Sequence, residues 1–172
     1  MTSTSTLELT RQMSVEERLL AAGIQLPKPW RLPLGVVTVA SHVRVYRDRV
    51  FASAHFPIDA NGDITGPFGR LGMELNLEQG RAAARSATLS MLASLKRELG
   101  DLDRIAAWLR VAGLVNAAPN FTEFPAVLNS ASDLIEIAFG REIGTHARIV
   151  SGASSLAWGA PIVIEAELQL KN

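Results

Sequence analysis

From Ile162 to Leu170 the chain alternates between apolar and polar residues, with Val163 the one exception. Ile162, Ile164, Ala166 and Leu168 fall on one face, and Val163, Glu165, Glu167 and Gln169 on the other. A period of two describes a strand with one buried face and one carboxylate-bearing face. Such a strand needs a layer against its apolar side, and two segments upstream can supply it. The first begins near Asn76, with Gln79 three residues on, carries Leu89, Leu92, Leu95 and Leu99 at helical spacing, and ends at Gly100. The second runs from about Thr122 to Phe139 with Phe124, Leu128, Ala131, Ile135 and Ala138 on one face, and Gly140 stops it.

The remaining strands follow from β-branched runs between turn signals. Val36 to Val45 reads as a strand, Tyr46 to Arg49 as a turn, and Val50 to Ala54 as the returning strand of a hairpin. Asp59 to Asp63 is a turn, and Gly66, Gly69 and Gly72 space out a loop. Ile105 to Val115 admits helix or strand and is taken as a strand. Arg148 to Leu156 is another. Ahead of these, Ser14-Val15-Glu16-Glu17 has the form of a capping box. It opens a short helix that turns Leu19 and Leu20 inward and stops at Gly23, before the proline-rich stretch Pro27 to Pro33. Residues 1–34 therefore read as an N-terminal extension with a short helix, and 35–172 as the main domain.

The order β-β-α-β-α-β-β predicts an α+β fold with two helices on one face of a small mixed sheet. Two helices cover only one side. The other side carries Val163, Glu165 and Glu167, and the first strand is apolar on both faces around Val36 to Ala40. A partner chain is expected there, in a closed homo-oligomer.

Composition removes several classes of function. Lys plus Arg and Asp plus Glu both number 17, so no global field favours a polyanion, and no extended basic run marks a nucleic-acid surface. With no cysteine there is no disulfide, thiolate metal site or thiol nucleophile. The Ser/Thr-rich start, Met1 to Thr10, lacks the apolar stretch of a signal peptide, and no window approaches the roughly 18 apolar residues of a membrane span. A cytoplasmic protein is expected. The loop Gly66 to Gly72 lacks the Lys and Ser/Thr of a phosphate cradle. Ser53 has no nucleophile elbow around it.

Four polar residues stand out in the last third, which otherwise reads as core: Asn116, Asn129, His146 and Arg148. Only the guanidinium offers a permanent charge in a planar fork, so a site built on them suits a small anion. His146 lies two residues from Arg148 and so on the same strand face. The structural alternatives are a subunit bridge for Arg148, a core role for His146 and His55, backbone bracing for the two asparagines, and a solvated ion pair for Glu165. His42 reads as a surface or sheet residue.

These residues resemble the Rid family (YjgF-like, also labelled L-PSP endoribonuclease). The resemblance runs from Val50 to Leu168. It begins with Phe51-Ala52-Ser53-Ala54-His55-Phe56-Pro57 and continues through Gly66 to Gly72 and Leu99-Gly100-Asp101-Leu102. It then takes in Val115-Asn116, Phe121-Thr122, Asn129, Ser132-Asp133-Leu134, Phe139-Gly140 and His146-Ala147-Arg148. It implies a chorismate-mutase-like fold, a homotrimer whose sheets form a central barrel, and a cleft at each subunit interface. In the family's deaminase branch the residue matching Arg148 grips the carboxylate of a 2-imino or 2-enamino acid, and groups near Ser53 and Ala54 line the cleft. A carboxylate on the last strand positions the hydrolytic water, giving a 2-keto acid and ammonia without metal or cofactor.

This chain departs from that branch. Counting from Leu156 puts Val163 at the position of the catalytic acid, and Glu165 is the nearest acid on the same face. Ala157 follows Leu156 in place of proline, Ala54 replaces the glycine after the strand serine, and Val150 replaces a cysteine. The expectation is thus a small-carboxylate-binding trimer acting as an imine or enamine deaminase. Glu165 and His146 are its candidate catalytic groups, and Arg148, Ser53, Ala54, His55, Asn116 and Asn129 its binding groups. A non-catalytic binding or regulatory trimer is the alternative, and the charge balance argues against a ribonuclease.

Overall fold

The computed structural model describes residues 13–171, so the expectation for Met1 to Thr10 lies outside the described residues. Helix α1, Val15–Ala21, is capped as predicted: the Ser14 hydroxyl accepts from the Glu17 N–H and the Glu17 carboxylate accepts from the Ser14 N–H. Val15 and Leu19 are buried one turn apart, but Leu20 is 66% exposed. One residue of helix rotates a side chain by about 100°, so two consecutive leucines cannot both face inward. The Asp103 carboxylate accepts from the Val15 N–H, tying α1 to the turn before β3.

Strands β1 (Val43–Tyr46) and β2 (Arg49–His55) form the hairpin, with Arg47 at φ 56° in its two-residue turn. The first strand is shorter than expected. Val36 to His42 lie outside it, and Val37 and Val39 are 90% and 104% exposed. Their β-branched side chains favour extended backbone, but the ladder to β2 stops at the pair Val43–Ala52, and propensity without a partner strand does not make a sheet.

Helix α2, Leu77–Leu99, begins in the Asn76–Gln79 capping box, with both bonds at 2.9 Å, and ends at Gly100 with φ 76°. Strand β3, Ile105–Asn116, resolves the ambiguous segment as strand. Helix α3, Phe124–Gly144, runs regularly to Phe139, breaks at Gly140 (φ 72°, ψ 165°) and makes a last turn. Strands β4 (Ala147–Ala153) and β5 (Ile162–Leu170) complete the five-stranded mixed sheet, ordered β1-β2-β5-β3-β4. Only β3 and β4 are parallel.

One side of the sheet packs on α2 and α3. Val50, Ala52, Trp108, Val111, Val115, Ile164, Ala166 and Leu168 meet Met91, Leu92, Leu95, Leu128 and Ile135 in one core. At about 1.5–3 kcal/mol for each large side chain, this burial is what holds the helices on the sheet. Among the described residues no second layer covers the other side: Phe51, Leu114 and Ile149 project from it, 41–52% exposed. A smaller cluster of Trp30, Phe56, Ile58, Ala160 and Val163 closes one end.

Candidate functional site

Arg148 stands on β4, the sheet edge, in register with Val111 of β3, whose side chain is buried against the helices. Partners in a ladder share a face, so Arg148 rises beside α3. There Asn129 and Ser132, three residues apart and hence neighbours on the helix surface, receive it. Arg148 Nη2 donates to Asn129 Oδ1 at 2.7 Å, and Nη1 donates to Ser132 Oγ at 3.1 Å. His146, just ahead of β4, lies on the same side: its Nε2 is 3.0 Å from Ser132 Oγ and its Nδ1 is 2.6 Å from the Gly144 carbonyl. Both acceptors of the guanidinium are uncharged, and among the described residues no ion pair to Arg148 forms. The fork is therefore oriented without being neutralised, and three of its five N–H donors remain for a ligand.

A second constellation lies on the opposite face. Phe51, Ser53, Arg110, Ala112, Glu165 and Glu167 line an open hollow of about 230 Å³. Glu165 sits opposite Ala112 in the β5–β3 ladder, and Ala112 adjoins Val111 in sequence, so Glu165 and Arg148 project to different sides of the sheet. Arg110 and Arg49 both reach Glu167, at 3.5 and 3.3 Å. The Ser53 hydroxyl donates to the Ser41 carbonyl at 2.7 Å.

The other expected binding residues are not at either place. His55 was expected to face the cleft, but it is fully buried, edge-on to the rings of Trp30 and His42. The cause is a bulge in β2. Ala52 pairs with Ala166 and His55 with Ile164, so three steps on β2 match two on β5, and one extra residue turns His55 to the core face. Burial pushes its pKa down to about 4 against the opposing bond from Nδ1 to the Ser53 carbonyl at 2.6 Å. His42 is half-buried and stacks on Trp30 with ring centroids 4.1 Å apart, and burial lowers its pKa as well. Ala54 packs against the small apolar cluster. Asn116 is 4% exposed at the end of β3, where its N–H donates to the Pro161 carbonyl at 2.8 Å and its carbonyl accepts from the Leu71 N–H. It pairs with Ala153, five residues beyond Arg148, or roughly 16 Å along the strand.

Sequence reasoning missed Ser132 and Arg110 as site residues. Ser132 was legible in principle: Asn129 and Ser132 at helical spacing 3, facing His146 and Arg148 at strand spacing 2, form two matched polar pairs. Arg110 carried no such signal, because only the antiparallel register with β5 sets it beside Glu167.

The carboxylates of Glu16, Asp101 and Asp103 offer oxygens within 4.8 Å of one another. They are engaged already: Glu16 pairs with Lys96, Asp103 accepts from Val15, and Asp101 accepts from the Asp103 N–H. That leaves the trio as a brace for α1.

A family model described as "YjgF/chorismate_mutase-like, putative endoribonuclease" matches residues 16–165. Protein TCP17 of Trypanosoma cruzi is 40% identical over 114 residues, which is 66% of this chain and 69% of that protein. A crystal structure from Shewanella oneidensis, described as a "putative endoribonuclease", superposes with a TM-score of 0.82 at 30% identity, over 92% of this chain and 100% of that one. A protein of unknown function from Agrobacterium tumefaciens gives a TM-score of 0.79 at 28% identity, over 91% and 92%.

Proposed function

The chain belongs to the YjgF/chorismate-mutase-like family, and on that premise we propose that it binds a small carboxylate metabolite through Arg148 in a homotrimer. The observation that carries this reading is the state of the guanidinium. It is exposed, held in place by Asn129 and Ser132, and among the described residues pairs with no carboxylate. A planar carboxylate arriving at such a fork gains two charge-assisted hydrogen bonds from a group already in position.

Arg148 and Glu165 project from opposite faces of one sheet, so a cleft that uses both draws them from two copies of the chain. The exposed apolar side chains on the Glu165 face supply the reason for copies to associate there. In such a cleft Arg148 fixes a 2-imino acid and Glu165 orients the water that adds to the imine carbon. The C–N bond then breaks, releasing ammonia and a 2-keto acid.

The second reading, a binding or regulatory trimer without turnover, is favoured by one observation. Val163, at the position of the deaminase acid, is buried in the apolar cluster of Trp30, Phe56 and Ile58. A carboxylate there would be desolvated without a partner. The two readings separate in an assay of 2-imino acid hydrolysis, with the imines generated in situ by an amino-acid oxidase. The deaminase reading expects turnover that Arg148→Ala abolishes and that Glu165→Gln abolishes without loss of binding. No turnover above background for small and bulky imines alike, with binding of the 2-keto acid retained, selects the second reading.

A further inference from the structure

We propose that Ser132 and His146 are positioning residues that set the orientation of the Arg148 guanidinium through a one-way relay of hydrogen bonds ending on the Gly144 carbonyl. The inference rests on the reading of Arg148 as the carboxylate grip.

The polarity of the relay follows from its two ends. The Gly144 carbonyl can only accept, so His146 Nδ1, 2.6 Å away, carries the proton. With the ring neutral, Nε2 is then a lone pair, and Ser132 at 3.0 Å donates its hydroxyl proton to it. Committed in that direction, the Ser132 oxygen has only lone pairs left to offer, and Arg148 Nη1 donates into one at 3.1 Å. The guanidinium has no acceptor, so the chain cannot run the other way. For a neutral ring, an acceptor-only group at one end and a donor-only group at the other leave a single arrangement.

The relay's anchor is rigid. Gly144 is buried in the last turn of α3, beyond the break at Gly140, and a Cβ there would meet the Ile135 carbonyl at 3.2 Å. From this anchor the relay holds one arm of the fork, while Asn129 Oδ1 holds the other at 2.7 Å. Both clamps are neutral, so they order the side chain while its charge stays with the ligand; a clamping carboxylate would compete for it. Both nitrogens of His146 are engaged by the protein, and in this arrangement the ring orients the Ser132 hydroxyl.

The test is titration calorimetry with 2-oxobutanoate as the probe, supported by nitrogen NMR of the imidazole in the ligand-free protein. Arg148→Ala is expected to abolish binding. Ser132→Ala should weaken it about tenfold, the worth of one ordinary hydrogen bond, and Ser132→Thr, which keeps the hydroxyl, should restore most of it. His146→Leu should match Ser132→Ala, His146→Gln should rescue through its amide oxygen, and the double variant Ser132→Ala/His146→Leu should bind no worse than Ser132→Ala alone. That non-additivity marks two residues acting through one contact. Wild-type affinity in Ser132→Ala, with binding lost in Arg148→Ala, overturns the relay and leaves the reading of Arg148 standing. Wild-type affinity in Arg148→Ala, or no binding of the probe by the wild type, overturns both. Independently of any ligand, the ring of His146 should be protonated at Nδ1, with the Nε2 resonance moving in Ser132→Ala. A ring protonated at Nε2 alone contradicts the relay.

Discussion

His55 shows how one residue's environment decides its chemistry. It sits in a segment that resembles a cleft wall, yet a one-residue bulge buries it beside Trp30 and His42, and that burial depresses its pKa from 6.5 to about 4. The unfolded chain therefore takes up a proton below pH 6.5 that the folded chain refuses. Stability from this residue is complete above pH 6.5, falls as the pH drops, and levels off below about 4. The span of about 2.5 units corresponds to about 3 kcal/mol. Urea unfolding of wild type and His55→Gln between pH 7 and 4 checks it: the wild-type curve should fall more steeply with acid, and parallel curves would refute the assignment. Arg148 is the opposite case. Its guanidinium is exposed, and Arg148→Ala should remove carboxylate binding while the melting temperature changes little, because its hydrogen bonds to Asn129 and Ser132 lie at the exposed surface.

At the scale of elements, local sequence signals carry most of the architecture. The α2 cap pairs Asn76 and Gln79 reciprocally, and Asn76→Ala should cost about 1 kcal/mol in equilibrium unfolding. Gly140 interrupts α3 at positive φ, with open space where a Cβ would go and Arg18 Nη1 the nearest atom at 3.9 Å. Gly140→Ala should therefore cost about 1–3 kcal/mol from backbone strain alone, read in the same measurement. It should also weaken carboxylate binding, since the turn beyond the break places the Gly144 carbonyl that orients His146. Strand β1 is the counterexample. Val36 to Ala40 have strand composition and no strand, because the antiparallel register that pairs Val43 with Ala52 sets Val36 to Val39 opposite residues beyond His55, where β2 has ended.

At the scale of the molecule, the sheet is a two-sided object with one side dressed. The helices cover the face of Val111 and Ile164, and Leu114, Ile149 and Phe51 project from the other beside the ionic set of Arg110, Glu165 and Glu167. Among the described residues no helix is long and apolar enough to cross a membrane. A closed oligomer of this chain is the expected cover. Sedimentation equilibrium should give a mass of three chains for the wild type and for Arg148→Ala. Leu114→Glu should give a folded monomer, because a carboxylate would be buried unpaired at the interface. A monomeric wild type at all concentrations would remove the trimer from the proposal.

The sequence by itself determined the elements whose signals are local: the two capping boxes, the leucine stripe of α2, the stop at Gly140 and the alternation of β5. These needed only neighbours three or four residues away, or a strict period, to be legible. It also singled out Asn116, Asn129, His146 and Arg148 as a polar set in an apolar third, and of these the fold brings Asn129, His146 and Arg148 together through Ser132. What only the tertiary structure decided was everything that depends on register. The bulge that buries His55, the five-residue offset that separates Asn116 from Arg148, the loss of pairing beyond Val43, and the placing of Glu165 and Arg148 on opposite faces are all set by which residue pairs with which across the sheet. A slip of one residue inverts a side chain's face, and no local pattern records that choice.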